Sequence, residues 1–198
     1  SGWVTTAGAA RATAWSTVVT APGRRWMRLA FDEVALGRTP PGGAPTVVRI
    51  TSLLDGATQH LTTERMQQWQ GTSAYFNGEA VRVEVIADPG APPSRVRIAS
   101  AWCPAAPAPN EGGAADICGG VDDRVPTTHP AIGRMMPQGC TVWLFDDANR
   151  TLLSAGHCGP LATTVIQFNV PPSDSAGVPV APPPSDQYAP DLSSGQRQ

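Results

Sequence analysis

Proline and glycine interrupt this chain so often that long helices cannot form. The sequence contains 21 Pro and 20 Gly among 198 residues. Proline ends a helix and lacks the N–H that a central strand needs, and glycine weakens both kinds of element. Short strands joined by turns and loops remain, so the sequence predicts an all-β fold. A chain of this length can hold one large or two small domains, and we expect two.

Residues 1–102 are predicted to form a β-sandwich or jelly-roll-like domain. Polar and apolar side chains alternate along Trp26–Glu33 and Val47–Ser52, as half-buried strands require. The Pro/Gly-rich stretch Thr39–Pro45 between them predicts a loop. Arg95–Ala99 reads as a further strand. Several short strands at this spacing are typical of a sandwich.

Two local predictions lie between these strands. Leu61–Gln70 is the best helical segment, with Thr62 or Thr63 available as its cap, and a strand with a turn is the alternative. Asn77-Gly78 is a tight-turn dipeptide between Thr72–Phe76 and Ala80–Ala87, which predicts a β-hairpin.

The second half of the chain is predicted to be a separate unit. Residues 103–115 are low-complexity Pro/Ala/Gly/Asn sequence, typical of a linker. The second unit covers 116–198. From residue 171 it becomes a proline-rich tail with too few apolar residues to form an independent domain.

Charge and composition exclude several classes of function. The net charge is −2, and all 14 basic residues are Arg. A nucleic-acid partner is therefore not expected. Schiff-base chemistry and P-loop phosphate binding are excluded because both require a lysine. No apolar run approaches the ~20 residues of a membrane-spanning helix, so no membrane partner is expected either. We predict no cofactor and no bound metal.

Four cysteines, at Cys103, Cys118, Cys140 and Cys158, allow three disulfide pairings. None of them forms the Cys-x-x-Cys spacing of a metal or redox pair. Disulfides persist outside the cytosol, so we expect a secreted, extracellular protein. The start of the chain lacks the charged and apolar regions of a signal peptide, so such a segment would have been removed or would lie outside these residues.

The segment Leu152–Cys158 brings an ionisable side chain, a cysteine and a strand end together. His157 can accept and return a proton near neutral pH. Upstream, the residues from Thr141 to Leu153 read as strand, polar turn and strand. A Cys140–Cys158 bridge would close this hairpin and hold His157 at its base.

The stretch 139–159 resembles the chymotrypsin/trypsin-like serine endopeptidases, in which the catalytic histidine lies in a Ser/Thr-Ala-Ala/Gly-His-Cys motif bridged to an upstream cysteine. The resemblance implies that His157 is the general base of a Ser-His-Asp triad acting on a protein or peptide substrate. Residues 116–198 would then be the first strands of a trypsin-like β-barrel. The run from Ser73 to Trp102 is similar to the sandwich domains that precede some secreted bacterial enzymes of this kind.

The other members of a triad are not recognisable in this sequence. Asp174, Asp186 and Asp191 follow His157, but each lies in Pro/Ser-rich sequence unlike the strand that carries the family's aspartate. No Gly-Asp-Ser-Gly segment occurs, and Ser154, Ser193 and Ser194 lack its flanking glycines. We therefore expect a fragment that needs the remainder of the protease domain and is inactive alone. The alternative is a secreted module that binds carbohydrate or protein through its β-domain and carries a vestigial protease-like segment.

Other candidate sites are weaker. Ile117–Gly120 resembles the start of mature animal proteases, but Asp116 precedes it and Cys118 replaces valine. By elimination we expect Cys118 to pair with Cys103. Asp122-Asp123 and Asp146-Asp147 lack calcium-loop spacing and are expected to be turn residues. The three histidines and four cysteines are too irregularly spaced for zinc. The six tryptophans are expected in the core rather than on a sugar-binding face.

Overall fold

The computed structural model describes residues 2–39, 41–103, 129–174 and 178–193. Within these ranges the chain forms antiparallel sheets and one short α-helix, which confirms the predicted all-β class. No sheet in the described part of the chain closes into a barrel. No helix there is long and apolar enough to cross a lipid bilayer.

The N-terminal part consists of two sheets. The first has the order β1-β6-β3-β4, built from Ala12–Thr20 (β1), Val47–Ser52 (β3), Thr58–Leu61 (β4) and Ala80–Ala87 (β6). The second has the order β5-β2-β7, built from Trp26–Ala35 (β2), Phe76–Asn77 (β5) and Arg95–Trp102 (β7). The strands predicted at 26–33, 47–52 and 95–99 are therefore confirmed.

One hydrophobic core joins the two sheets. Alternate residues of β6, Val81, Val83 and Val85, are fully buried, because successive side chains of a strand point to opposite faces. They belong to the same cluster as Met27 and Leu29 of β2. The two N-terminal sheets are therefore held together mainly by apolar burial between them.

The predicted helix is confirmed as α1, Thr63–Gln68. Thr62 is its N-cap, and its hydroxyl oxygen accepts a hydrogen bond from the Arg65 N–H at 3.3 Å. Met66 of the helix and its C-cap residue Trp69 are buried in the core, so α1 packs against the sheets.

The predicted hairpin around Asn77-Gly78 is wrong. β5 pairs with β2, with Met27 opposite Phe76, whereas β6 pairs with β1 and β3. The backbone N–H of Ser73 donates to Leu29 O at 2.9 Å, so the segment before the turn is fixed to the other sheet. Gly78, with φ 91°, lies where the chain passes between sheets. Burial of both flanking strands in a shared core outweighs the local preference for a hairpin.

The C-terminal part forms a five-stranded sheet with the order β10-β9-β8-β11-β12. Its strands are Ile132–Met136 (β8), Cys140–Leu144 (β9), Leu152–Ser154 (β10), Val165–Gln167 (β11) and Gln187–Tyr188 (β12). One face carries a small cluster of its own, which includes Met135, Val142 and Ile166. On the other face, Met136 and Val165 join the core of the sandwich.

The proline-rich tail packs against the sandwich. Asn77 donates through Nδ2 to Ala181 O at 2.9 Å, and the Ala181 N–H donates to Asn77 Oδ1 at 2.9 Å. Val178 and Gln187 are buried. The division into units 1–102 and 116–198 stays a prediction, and residues 104–115 of the predicted linker lie outside the described residues.

Candidate active site

The hairpin of β9 and β10 is the scaffold of the candidate site. Trp143 pairs with Leu153 and Val142 with Ser154, in antiparallel register. The Ser154 hydroxyl donates to Thr141 O at 2.8 Å, which adds a second link between the strands. The sequence predicts this strand, turn and strand, and the structure confirms it.

The turn of this hairpin is built around Asp147. Its Oδ1 accepts hydrogen bonds from the backbone N–H groups of Asn149 at 3.1 Å and Thr151 at 2.9 Å. Its Oδ2 accepts from the Thr151 hydroxyl at 2.6 Å. The Thr151 side chain and then its backbone N–H stabilise the carboxylate and lower the pKa of Asp147 below its ordinary value. The predicted turn role of Asp147 is therefore observed, and its oxygens are occupied by these donors.

A disulfide bridge joins Cys140 and Cys158, with a Cα–Cα distance of 6.2 Å and a sequence separation of 18. This confirms the pairing that the sequence motif implies. Cys158 is buried in the apolar cluster that contains Met135, Val142 and Ile166, and Cys140 is half-buried beside it. The bridge ties the segment that follows β10 to the start of β9.

His157 lies in the turn between β10 and Cys158 and is exposed to solvent. The Cys158 N–H donates to Ala155 O at 2.9 Å, which fixes the backbone on either side of the histidine. The neighbouring Gly156 is exposed as well, with no atom within 4 Å of the position that a Cβ would take. A solvent-facing imidazole on a tethered backbone has the accessibility that a general base needs.

The described residues do not bring a triad together. Asp174 forms an ion pair with Arg25 at 3.1 Å. Asp186 Oδ1 accepts from Asn169 Nδ2 at 3.1 Å, and Asp191 Oδ1 accepts from the Ser193 N–H at 2.9 Å. Each of the three aspartates that follow His157 thus contacts another residue: Asp186 and Asp191 bond residues nearby in sequence, and Asp174 bonds a residue 149 positions away.

The structure does bring together three side chains of the kinds that bind metal ions. Ligand atoms of Cys140, His157 and Cys158 lie within 4.8 Å of one another. As a disulfide, the two sulfurs do not offer the thiolate that zinc requires. His60 lies on β4 of the sandwich, and burial and nearby arginines lower its pKa.

Several predicted residues are not placed. Cys118, Ile117–Gly120 and Asp122-Asp123 lie outside the described residues. Cys103 is half-buried and forms no disulfide with a described cysteine. Its pairing with Cys118 stays a prediction.

Sequence reasoning missed a buried arginine that links the two halves. Arg28 of β2 is 1% exposed. Its Nε donates to Ser73 O at 2.7 Å, its Nη2 to Thr72 Oγ1, and its Nη1 to Thr163 O. Burial lowers the pKa of Arg28. Nothing in the alternating pattern of β2 distinguishes this arginine from an exposed one, because its partners are distant in sequence.

It also missed a cleft of about 770 Å³ on the sandwich. Four segments of the chain line it: the turn at Gly23–Arg25, the β3–β4 turn with Leu53 and Leu54, residues 77–80, and the tail around Val178–Val180. None of the six tryptophans lines it.

The tryptophans differ in burial. Trp69 is buried in the core, as expected, whereas Trp3 is 61% exposed and Trp143 is 44% exposed.

Comparison with known proteins identifies no relative. No protein-family model matches the chain, and no curated protein or solved structure matches it significantly.

Proposed function

We propose that this chain supplies the histidine base of a serine endopeptidase of the trypsin-like type. The observation that carries the proposal is the position of His157, which is exposed at the base of a hairpin that the Cys140–Cys158 disulfide closes. A general base must be accessible to its substrate while its backbone is held in place. The tethered turn meets both requirements.

In this proposal His157 takes the proton of a serine hydroxyl as that oxygen attacks a peptide carbonyl. It then returns the proton to the leaving amine, while a carboxylate orients the ring. We place the serine and the carboxylate in the remainder of the protease domain, because the sequence has no Gly-Asp-Ser-Gly segment and the three aspartates after His157 contact other residues. The substrate is a protein or peptide, and the chemistry requires no cofactor.

We further propose that the protein works in an extracellular setting. The disulfide supports this, since such bonds persist in oxidising compartments and are rare in the cytosol. An extracellular endopeptidase would also need the bridge intact to hold its base.

The test is peptide hydrolysis by the full gene product that contains these residues. We expect His157→Ala to lower kcat by about 10⁴-fold or more, as loss of a triad base does. His60→Ala is the matched control, because His60 is also exposed but lies on the sandwich, and it should leave the rate unchanged. The isolated 198-residue chain should show no turnover. Equal rates for His157→Ala and the unsubstituted protein would remove the assignment.

The cleft on the sandwich supports a second candidate, a secreted binding module. Leu54 in the β3–β4 turn is 70% exposed, and the ion pair of Arg25 with Asp174 lies beside it. The cleft lacks the aromatic platforms on which sugar rings stack, so a protein segment is the better ligand. Peptides selected from a displayed library on this protein should lose binding to Leu54→Asp and keep binding to Leu161→Asp, whose leucine is exposed elsewhere. Equal retention by both variants would argue against the cleft.

A further inference from the structure

The sulfur atoms of Cys140 and Cys158 and the imidazole of His157 lie together at the base of the β9–β10 hairpin. We propose that, once the Cys140–Cys158 disulfide is reduced, these cysteines and His157 bind one zinc-type divalent metal ion. The ligand atoms of the three residues already lie within 4.8 Å of one another. The fourth position of the ion would face solvent.

The donor set matches the chemistry of zinc. Thiolate sulfur and imidazole nitrogen are its preferred ligands, and three protein ligands with one open position are typical of accessible zinc sites. Tetrahedral bonds of about 2.3 Å to sulfur and about 2.0 Å to nitrogen place ligand atoms about 3.5–3.8 Å apart. The two sulfurs are bonded to each other in the disulfide, so after reduction their side chains must rotate apart to reach this spacing.

The scaffold does not depend on the disulfide alone. The pairs of Trp143 with Leu153 and of Val142 with Ser154 hold β9 against β10. Cys158 is 5% exposed and packs with Val142 and Ile166, so contacts other than the disulfide also hold this residue against the sheet. His157 is exposed, which leaves the ion a path from solvent.

The redox step balances with a dithiol as reductant. The Sγ–Sγ bond breaks, each sulfur gains one hydrogen atom, and the dithiol loses two hydrogen atoms and closes to its own disulfide. Metal binding then releases both thiol protons to solvent, and the two thiolates neutralise the charge of the ion. In the oxidised protein His157 is the only one of the three residues that can ligate a metal ion, because the two sulfurs are bonded to each other. The site therefore exists only in the reduced state.

The inference stands independently of the proposed protease, because its test measures metal binding. Cobalt(II) is the probe, since thiolate ligation gives it an ultraviolet charge-transfer band and tetrahedral geometry gives it visible bands. All samples carry Cys103→Ser and Cys118→Ser, so that only the Cys140–Cys158 pair contributes sulfur. The protein is reduced with a dithiol, which is then removed under anaerobic conditions.

We expect one cobalt per reduced chain with both kinds of band, and no charge-transfer band for oxidised protein. His157→Ala should weaken binding at least about tenfold, whereas His60→Ala should bind like the parent. If reduction unfolds the chain, zinc should restore the near-ultraviolet circular dichroism of the parent but not of His157→Ala. Absence of the charge-transfer band, absence of refolding by zinc in an unfolded sample, or equal affinity of the parent and His157→Ala would each overturn the proposal.

Discussion

The side-chain amide of Gln187 pairs with the backbone of Tyr75 in both directions. The Tyr75 N–H donates to Gln187 Oε1 at 2.9 Å, and Gln187 Nε2 donates to Tyr75 O at 2.8 Å. Gln187 lies on the last strand of the five-stranded sheet, and Tyr75 belongs to the sandwich. A glutamine in the proline-rich tail therefore satisfies buried backbone groups 112 residues away.

Replacing Gln187 with leucine should destabilise the protein by about 2–4 kcal/mol, because it leaves the N–H and carbonyl of Tyr75 buried without partners. The free energy of unfolding in urea measures the loss. Gln67→Leu is the control, since Gln67 is exposed on α1 and should change stability by less than about 0.5 kcal/mol. Equal losses for the two variants would show that the amide pair adds nothing.

Arg28→Lys should cost about 2 kcal/mol or more. Lysine cannot reproduce the planar fork through which Arg28 bonds Ser73, Thr72 and Thr163, and at least one of these acceptors would lose its donor. Arg97→Lys is the matched change on the surface. There the arginine bonds Asp32 with its side chain 57% exposed, so the cost should stay below about 1 kcal/mol. A similar small effect at both positions would contradict the linking role of Arg28.

Removing the disulfide should lower stability by about 3 kcal/mol, the chain-entropy value for a loop of this length. The variant is Cys140→Ala with Cys158→Ala, compared with oxidised protein by denaturant unfolding. Oxidised protein treated with a reductant should show a similar loss. A double variant as stable as the oxidised protein would mean that the hairpin is held by its other contacts.

The turn of the hairpin should respond to acid through Asp147. Its folded-state pKa lies below the ordinary value because Thr151 and nearby backbone groups donate to the carboxylate. The stabilisation is therefore present above the ordinary pKa of aspartate and is lost as the pH falls through the lowered one. The amide resonance of Thr151 should titrate below the ordinary value, and this titration should vanish in Asp147→Asn but persist in Asp146→Asn. A midpoint at or above the ordinary pKa would contradict the expected sign.

Local pattern predicts the strands of this protein better than their partners. The alternation of Trp26–Glu33 predicts a strand, and Thr62 marks the start of α1, since both are properties of neighbouring residues. The pairing of β5 with β2 is not such a property. It follows from contacts such as Ser73 with Leu29, which lie far apart in sequence, and local turn preference alone predicts the wrong neighbour for β6.

The candidate site shows the same division. The strand, polar turn and strand between Cys140 and Cys158, together with the motif around His157, predict a bridged hairpin with an imidazole at its base, because all of these residues lie within one short stretch of the chain. The sequence by itself thus determined the all-β class and this tethered histidine, which depend on periodicity and short-range spacing. Only the tertiary structure decided that Arg28 and Gln187 join the two halves, that the tail packs on the sandwich and that distant turns form a cleft. Those features depend on hydrogen bonds between buried groups that lie far apart in the sequence. The local residue pattern does not specify such pairs.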